Sequence, residues 1–374
     1  MRSRFLKTTV LVVVFSFSLG AWWSFYRHEQ RNAHNPHGPE IRLLVQKNFL
    51  PDPIIKTIQR RLNADLQVTE EPAEIDLLRE LLSHSDNYDI VELPSFVMHS
   101  FLIKNVLSPI NGKAIPSMKQ ISIDFQHLDF DPGGKYFIPV SWGVSGFLFN
   151  PAHTKWDGDS LMTLFNVESS GVGGNASSTA LQQPRAKISL MDSPIEFLNL
   201  ITKIQPIVST WSKTDQTTEL TKTVHAFAGQ ISALTNDPTS LLTNGSVAVA
   251  QISNGRAAAF LKKHPDYKFV LPKEKGVLWV NFLAVSHAVG DIELANELLN
   301  AFLRPSINRQ LVELDHSASV LNSLNSSSLP EMQKASYIRK VSLNRFELYV
   351  NPEAIEPTWL SIYQDAANTS GARP

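Results

Sequence analysis

The order of apolar and polar positions between residues 41 and 93 predicts alternating strands and helices. Residues 41–45 form a short apolar run of strand length, and isoleucine and leucine then recur at helical spacing over 54–62. A second strand is predicted near 66–69, a second helix over 75–82 and a third strand over 88–93. Because strand, helix and strand follow one another so closely, the pattern favours a parallel, doubly wound α/β sheet.

A second set of elements follows in the rest of the chain. The pattern predicts strands at 187–191, 247–252, 267–271 and 277–285, a helix at 292–303 that Pro305 limits, and a C-terminal helix at 357–364. Residues 137–150 mix Pro, Gly and Ser with apolar residues and predict a strand, a turn and another strand. A further helix is predicted from an apolar stripe made of Leu220, Val224, Phe227, Ile231 and Leu234.

Two such sets in a chain of 374 residues indicate two domains. In open parallel sheets, ligands bind beyond the carboxyl ends of the strands. This rule points to residues 46–49 and 93–96 as candidate site segments.

The N-terminal segment predicts export. Arg2, Arg4 and Lys7 precede an uncharged stretch over 8–26, and Ser18 and Gly20 are spaced like a signal cleavage site. The uncharged stretch also approaches the ~20 residues that a spanning helix needs, so a retained membrane anchor is the alternative.

Composition excludes several function classes. The formal net charge of −1 gives no general attraction to nucleic acid. The absence of cysteine removes disulfides, thiol catalysis and thiolate metal sites. The sequence contains no nucleophile elbow, phosphate loop or metal-binding helix motif, and His99, His127 and His316 lack ligand spacing. We therefore predict no enzymatic activity, no cofactor and no metal.

Three segments carry a family resemblance. They are DFDPGGKY at 129–136 with Trp142-Gly143 downstream, LPKE at 271–274 followed by LWVN at 278–281, and AFLRP at 301–305. In this order and spacing they resemble the spermidine/putrescine-binding proteins of ATP-driven importers. The resemblance runs from residue 41 to about residue 365 and covers both predicted domains.

The resemblance implies a two-lobed periplasmic-binding-protein fold of type II, in which two doubly wound sheets are joined by crossing strands. The crossings are expected near 147–150 and 280–283. The lobes would close on ligand by a hinge. The implied division is a signal peptide or anchor at 1–26, a linker at 27–40, lobe one at 41–148 plus 281–318, lobe two at 149–280 plus 319–366, and a tail at 367–374.

The function implied by the resemblance is periplasmic solute binding in polyamine transport. The expected partners are a small-molecule solute and the membrane permease of an ABC importer, with no nucleic acid. Two alternatives remain open: a membrane-anchored sensor or interaction protein with a degenerate cleft, and a binder of an amino-acid-like or anionic solute.

The resemblance also implies where the ligand binds. A polyamine needs carboxylates for its ammonium groups and aromatic faces for its methylenes. The family positions fall on Lys47, Asn48, Phe49, Phe96, Trp142, Glu196, Ser253, Trp279, Asn281 and Tyr349.

The predicted pocket differs from that of the family in its charge. Of four expected carboxylates one clear match remains, Glu196, whereas Asn48, Ser193 and Asn281 stand at the other three positions. Lys47 adds a positive charge beside Asn48. A zwitterion, a small cation and an anion all remain open as ligands. The sequence is equally compatible with Trp142 in the hydrophobic core and with Trp142 in the ligand pocket.

Overall fold

The structure is a computed structural model that describes residues 38–72, 74–94, 106–126, 131, 133–165, 186–193, 196–197, 200, 231–274 and 277–324. The predicted signal or anchor segment, the helix at 357–364, Phe96 and Tyr349 lie outside these residues. Within the described ranges, no helix combines the length and the apolar character that crossing a membrane requires.

The first described elements form a parallel sheet, as predicted. Strand β1 (Glu40–Gln46) pairs in parallel with both β2 (Asp65–Glu71) and β3 (Ile90–Pro94). The intervening helices are α1 (Asp52–Leu62) and α2 (Glu74–His84).

Helix α1 shows how the local sequence sets these boundaries. It begins after Pro51 with a second proline in its first turn, where the missing N–H costs nothing. It ends at Asn63 in the left-handed conformation, which asparagine tolerates better than most residues. The buried side chains of Ile54 and Ile58 attach the helix to the core.

The remaining helices and strands complete one sheet of 11 strands within the described residues. They are β4 (Leu107–Ser108), β5 (Phe137–Phe149), α3 (Leu161–Leu164), β6 (Ile188–Leu190), β7 (Ile231–Leu234), α4 (Thr239–Thr243), β8 (Val249–Ser253), α5 (Asn254–Leu261), β9 (Lys268–Val270), β10 (Val277–Ser286), α6 (Ile292–Phe302), α7 (Pro305–Asp315) and β11 (Ala318–Ser319). The strand order is β2-β1-β3-β10-β5-β8-β6-β7, with β9 and β11 also paired to β5 and β4 paired to β10.

Separate hydrophobic cores define two lobes on this path. One core packs around β1, β3, β10 and the first part of β5, and we call this part lobe one. Two further cores cover the opposite faces of the sheet around β8, β6 and the end of β5, and we call this part lobe two. Strand β5 passes from the first core to the others between Trp142 and Phe147.

The turn predicted within residues 137–150 is wrong, because β5 is one continuous strand of 13 residues. Its glycines serve close packing instead of chain reversal. The Trp279 ring occupies the space that a Cβ on Gly143 would need, and Phe269 does the same at Gly146.

The predicted helical stripe is also wrong at its described end, since Ile231 and Leu234 lie in strand β7. The pairing of β7 with β6 shifts register next to Ile188, so one extra residue is accommodated in β7. Such a bulge lets two residues three apart both face the core, which imitates helical spacing. The other members of that stripe lie outside the described residues.

Pro305 begins helix α7, which the sequence pattern did not predict.

A half-buried ion pair fixes the start of lobe one. The Asp89 carboxylate accepts hydrogen bonds from the Arg42 backbone N–H at 2.9 Å, the Arg42 guanidinium at 3.0 Å and the Gly290 N–H at 3.0 Å. Burial acts to raise the pKa of Asp89, but the hydrogen bonds from Arg42 and Gly290 outweigh it and bring the pKa below its usual value.

We expect Asp89→Asn to lower the free energy of unfolding by about 1.5–3 kcal/mol at neutral pH, the range for hydrogen bonds to a charged group. Because the folded pKa is depressed, this stability is present above the ordinary value of about 3.9 and is lost as the pH falls through the folded value. Urea denaturation at pH 7 and pH 3 measures the difference. The exposed Asp86→Asn is the control, and an equal loss in both variants would contradict the prediction.

Candidate functional site

The carboxyl ends of β1 and β3 lie at one edge of lobe one, as the sequence indicated. After β1 the chain turns sharply, with the Phe49 N–H donating to the Gln46 carbonyl at 2.9 Å. Asn48 adopts a left-handed conformation with φ of 67°. Lys47 and Asn48 are exposed at this turn. Both therefore present their side chains to solvent beside the lobe edge.

Two of the predicted aromatic site residues belong to the core. Phe49 is 4 % exposed and Trp142 is 0 % exposed, and both pack in lobe one. The Trp142 indole N–H donates to the Ser319 carbonyl at 3.0 Å. In this conformation neither ring offers a face to a ligand.

One face of the crossing strand β5 carries a row of small residues. Ser141, Gly143 and Ser145 alternate along the strand and share one face, because successive side chains in a strand point to opposite sides. Ser141 and Ser145 are four residues apart, or about 13 Å in an extended strand. This row spans the region where the chain passes from one lobe to the other.

Glu196 lies at the lobe-two end of this row. The Ser145 hydroxyl donates to Glu196 Oε1 at 2.6 Å, and Gln251 Nε2 donates to Oε2 at 3.2 Å. Glu196 is 7 % exposed. Both of these donors are uncharged, and their two hydrogen bonds orient the carboxylate.

Ser193, which stands where the family places a carboxylate, has a local role. Its hydroxyl accepts the Glu196 N–H at 3.3 Å, and its carbonyl accepts the Phe197 N–H at 3.0 Å. This is the arrangement of a residue that caps the start of a helical turn. Ser193 thereby positions Glu196.

Trp279 lies over the middle of the row. It is directly opposite Gly143 in the β10–β5 pairing, and its ring packs on the glycine Cα. The indole Nε1 is buried and has no hydrogen-bond partner within the described part of the chain. The site therefore contains an aromatic face and an indole donor at its centre.

Asn281 marks the lobe-one end of the row. Its Nδ2 donates to the Ser141 hydroxyl at 3.3 Å, and the residue pairs with Pro94 at the carboxyl end of β3. Asn281 is half-buried. A neutral amide and a hydroxyl thus meet where β3 ends.

Ser253 lies next to the charged end. It pairs with Ser145 and immediately precedes helix α5, while its side chain makes no capping hydrogen bond. The following residue, Asn254, accepts the Val144 N–H at 2.9 Å through Oδ1 and so ties the start of α5 to the crossing strand.

The structure therefore brings Glu196, Ser253, Trp279 and Asn281 together along one strand. Sequence reasoning missed three partners of these residues, Ser141, Ser145 and Gln251. The signal for two of them was the alternation of small residues inside the apolar run 137–149, which marks one face of a strand. Chemically, the row offers a negative charge at one end, an aromatic face in the middle and neutral polar groups at the other end.

We expect Gly143→Ala to displace the Trp279 ring and to lower the free energy of unfolding by about 1–3 kcal/mol, as overpacking does. Thermal unfolding and near-ultraviolet circular dichroism measure the two effects. Gly112→Ala is the matched control, since its new Cβ would meet the Met118 sulfur at an ordinary 3.5 Å. An unaltered tryptophan spectrum in Gly143→Ala would contradict this packing.

Comparison with known proteins decides the family. The profile of bacterial extracellular solute-binding proteins matches residues 99–336, more than half of the chain. The chain belongs to this family. It is accordingly a solute-binding protein and not an enzyme.

Individual relatives agree with the family assignment. The spermidine/putrescine-binding periplasmic protein 1 of Haemophilus influenzae is 21 % identical over 267 residues, which cover 70 % of each chain. A Listeria monocytogenes protein assigned to a spermidine/putrescine ABC transporter superposes with a TM-score of 0.69 at 15 % identity, over 88 % of this chain and 99 % of that one.

The same fold also occurs with another ligand. A periplasmic thiamin-binding protein superposes with a TM-score of 0.59 at 18 % identity, over 88 % of this chain and 96 % of that one. The two-lobed fold of type II is thus confirmed for this binding protein. At these identities the structural likeness establishes the fold alone.

Proposed function

We propose that this binding protein captures a small, elongated solute that carries a positive charge at one end and an uncharged polar group at the other. The observation that carries the proposal is the Glu196 carboxylate, oriented by Ser145 on the crossing strand next to the Trp279 ring. A cation favours both the carboxylate and the aromatic face. Lys47 and Asn48 are proposed to border the cleft at the edge of lobe one.

The neutral end of the site supports a difference from polyamine binders. A second ammonium group placed near Asn281 and Ser141 would meet an amide and a hydroxyl instead of a carboxylate. Burying an ammonium without a counter-charge is costly. We therefore propose that this protein serves a transporter related to those of the polyamine class. Its own solute is proposed to have a single ammonium group, which binds at this site. The permease of an ABC importer is the proposed membrane partner.

A thermal-shift screen tests this proposal. The panel should contain putrescine, spermidine, monoamines with a hydroxyl or amide tail, amino acids and small anions. A ligand that binds only the folded protein stabilises it and so raises the melting temperature. Well above the dissociation constant, the stabilisation grows with the logarithm of the ratio of ligand concentration to dissociation constant. We expect the monoamines to give the largest shifts. Stabilisation by anions alone would contradict a site built on Glu196.

Export is proposed from the N-terminal sequence, in agreement with the periplasmic relatives. We expect the mature protein in its native envelope to begin at Ala21, because Ser18 and Gly20 fit a cleavage site. N-terminal sequencing measures this. Recovery of Met1 in the membrane fraction would support the retained anchor instead.

A further inference from the structure

A buried carboxylate lies where β1 and β3 part at the edge of lobe one. The chain leaves β1 for β2 on one side and returns to β3 on the other, so β1 lies between these two strands. Open α/β sheets bind ligands in the crevice that such a change of direction leaves beyond the carboxyl ends of the strands. Glu92 lies on β3 at this crevice and is 1 % exposed.

The Glu92 side chain continues the pairing of β1 beyond the point where the backbone of β3 stops pairing. The pairing of β1 with β2 extends to Gln46, opposite Glu71. Its pairing with β3 ends earlier, at Leu44 opposite Val91. The Gln46 N–H donates to Glu92 Oε2 at 2.7 Å. A hydrogen bond to a carboxylate is about twice as strong as one between neutral groups, so Glu92 holds the last residue of β1 against β3.

Residues 46–49, which we call the β1 turn, use all four of their backbone N–H groups. Besides the bond to Glu92, the hydrogen bonds are Lys47 N–H to the Glu71 carbonyl at 2.8 Å, Asn48 N–H to Glu70 Oε1 at 3.2 Å and Phe49 N–H to the Gln46 carbonyl at 2.9 Å. Glu70 is exposed, so water competes for its bond. The carboxylate of Glu92 is buried, so its bond to the turn is shielded from water.

We propose that Glu92 is a positioning residue, which fixes the β1 turn before the solute arrives and so prepares the lobe-one border of the cleft. This inference rests on the proposed function only for the place of Lys47 and Asn48 at that border. Glu92 acts through the turn, because its carboxylate is buried and bonded to the backbone. A border that is ordered beforehand loses less conformational freedom on binding, which favours affinity.

Amide hydrogen exchange in the ligand-free protein tests the proposal, with fragmentation that resolves single residues. At pH 7 we expect Gln46 to exchange more slowly than Asn48, because the acceptor of Gln46 is buried and that of Asn48 is exposed. Glu92→Met keeps the length of the side chain but removes the acceptor, and it should speed exchange at Gln46 by about tenfold to a hundredfold. Glu92→Gln keeps an oxygen that can accept the Gln46 N–H and should restore most of the protection.

Glu70→Met is the matched control, since it removes a carboxylate from the exposed side of the same turn. It should leave exchange at Gln46 unchanged. Exchange at Gln46 that is equally slow in Glu92→Met, or as fast in Glu92→Gln as in Glu92→Met, would overturn the proposal. If Glu92→Met fails to fold, Glu92→Gln and the order of exchange of Gln46 and Asn48 in the unsubstituted protein decide.

Calorimetry with a linear aminobutanol, which is putrescine with one amine replaced by a hydroxyl, separates this inference from the proposed function. We expect Glu92→Met to weaken its binding by about threefold to tenfold and Glu92→Gln to bind it nearly as well as the unsubstituted protein. Unchanged affinity in Glu92→Met would overturn the positioning role. Absence of binding to the unsubstituted protein would count against the proposed function, and exchange at Gln46 would then decide whether Glu92 holds the turn.

Discussion

Replacement of Glu196 by glutamine should weaken binding of the cationic solute by a hundredfold or more. The substitution keeps the shape of the side chain but removes its charge. The amide oxygen can accept the Gln251 Nε2 hydrogen, and the amide NH2 can donate to the Ser145 hydroxyl in place of accepting from it. Leaving a buried ammonium without its partner costs roughly 3–5 kcal/mol, and every ~1.4 kcal/mol corresponds to a factor of ten in affinity. Calorimetric titration with the solute that gives the largest thermal shift measures the loss.

The control for this variant is Asp192→Asn, since Asp192 is exposed and close to Glu196 in the chain. It removes the same charge from an exposed position four residues earlier in the chain. Equal losses of affinity in the two variants would indicate a general electrostatic effect. Unchanged affinity in Glu196→Gln would mean that the cation binds elsewhere.

Asn281→Asp should raise the affinity for putrescine and spermidine by about tenfold to a hundredfold. The unsubstituted protein is expected to bind both weakly, because the lobe-one end of the site is neutral. Asn281 Nδ2 donates to the Ser141 hydroxyl, whereas a carboxylate at residue 281 would accept a hydrogen bond from this hydroxyl and would add a counter-charge for the second ammonium. Hydrogen bonds to a charged group are worth about 1.5–3 kcal/mol, which sets this range.

Calorimetry at moderate salt, with each polyamine, measures the gain. Asn244→Asp adds the same charge on an exposed part of lobe two and should leave both affinities unchanged. A submicromolar dissociation constant for either polyamine with the unsubstituted protein would contradict a neutral lobe-one end of the site. An equal gain in polyamine affinity in Asn281→Asp and Asn244→Asp would contradict it as well.

The strands and the lobe edge could be predicted from sequence because each rests on a local pattern. Short apolar runs specify β1, β2 and β3, and the segments between them show the apolar spacing of helices. Parallel strands place their carboxyl ends at one edge of the sheet. The resemblance then placed Glu196, Trp279 and Asn281 near one another. Each of these inferences needs only short-range periodicity or the order of motifs along the chain.

Burial of single side chains was beyond the same reasoning. Phe49 and Trp142 align with ligand-binding positions, yet both pack into the core of lobe one. An apolar side chain next to a cleft suits either environment, and its direction depends on tertiary packing. Likewise, the family alignment gave Ser193 as a lost carboxylate, whereas its hydroxyl accepts the Glu196 N–H.

The errors in β5 and β7 have a common physical cause. Gly143 and Gly146 suggested a turn, but their role is to admit the Trp279 and Phe269 rings, which come from distant segments. The bulge in β7 depends on its pairing with β6. Neither long-range contact leaves a local signature that differs from a turn or a helix.

Native mass spectrometry of the protein isolated from its own envelope tests the central claim most directly, because the solute need not be known in advance. The account predicts a bound small molecule on the unsubstituted protein and on Asp192→Asn, and its loss from Glu196→Gln. A bound molecule retained equally in all three proteins, or found on none of them, would contradict a solute site built on Glu196.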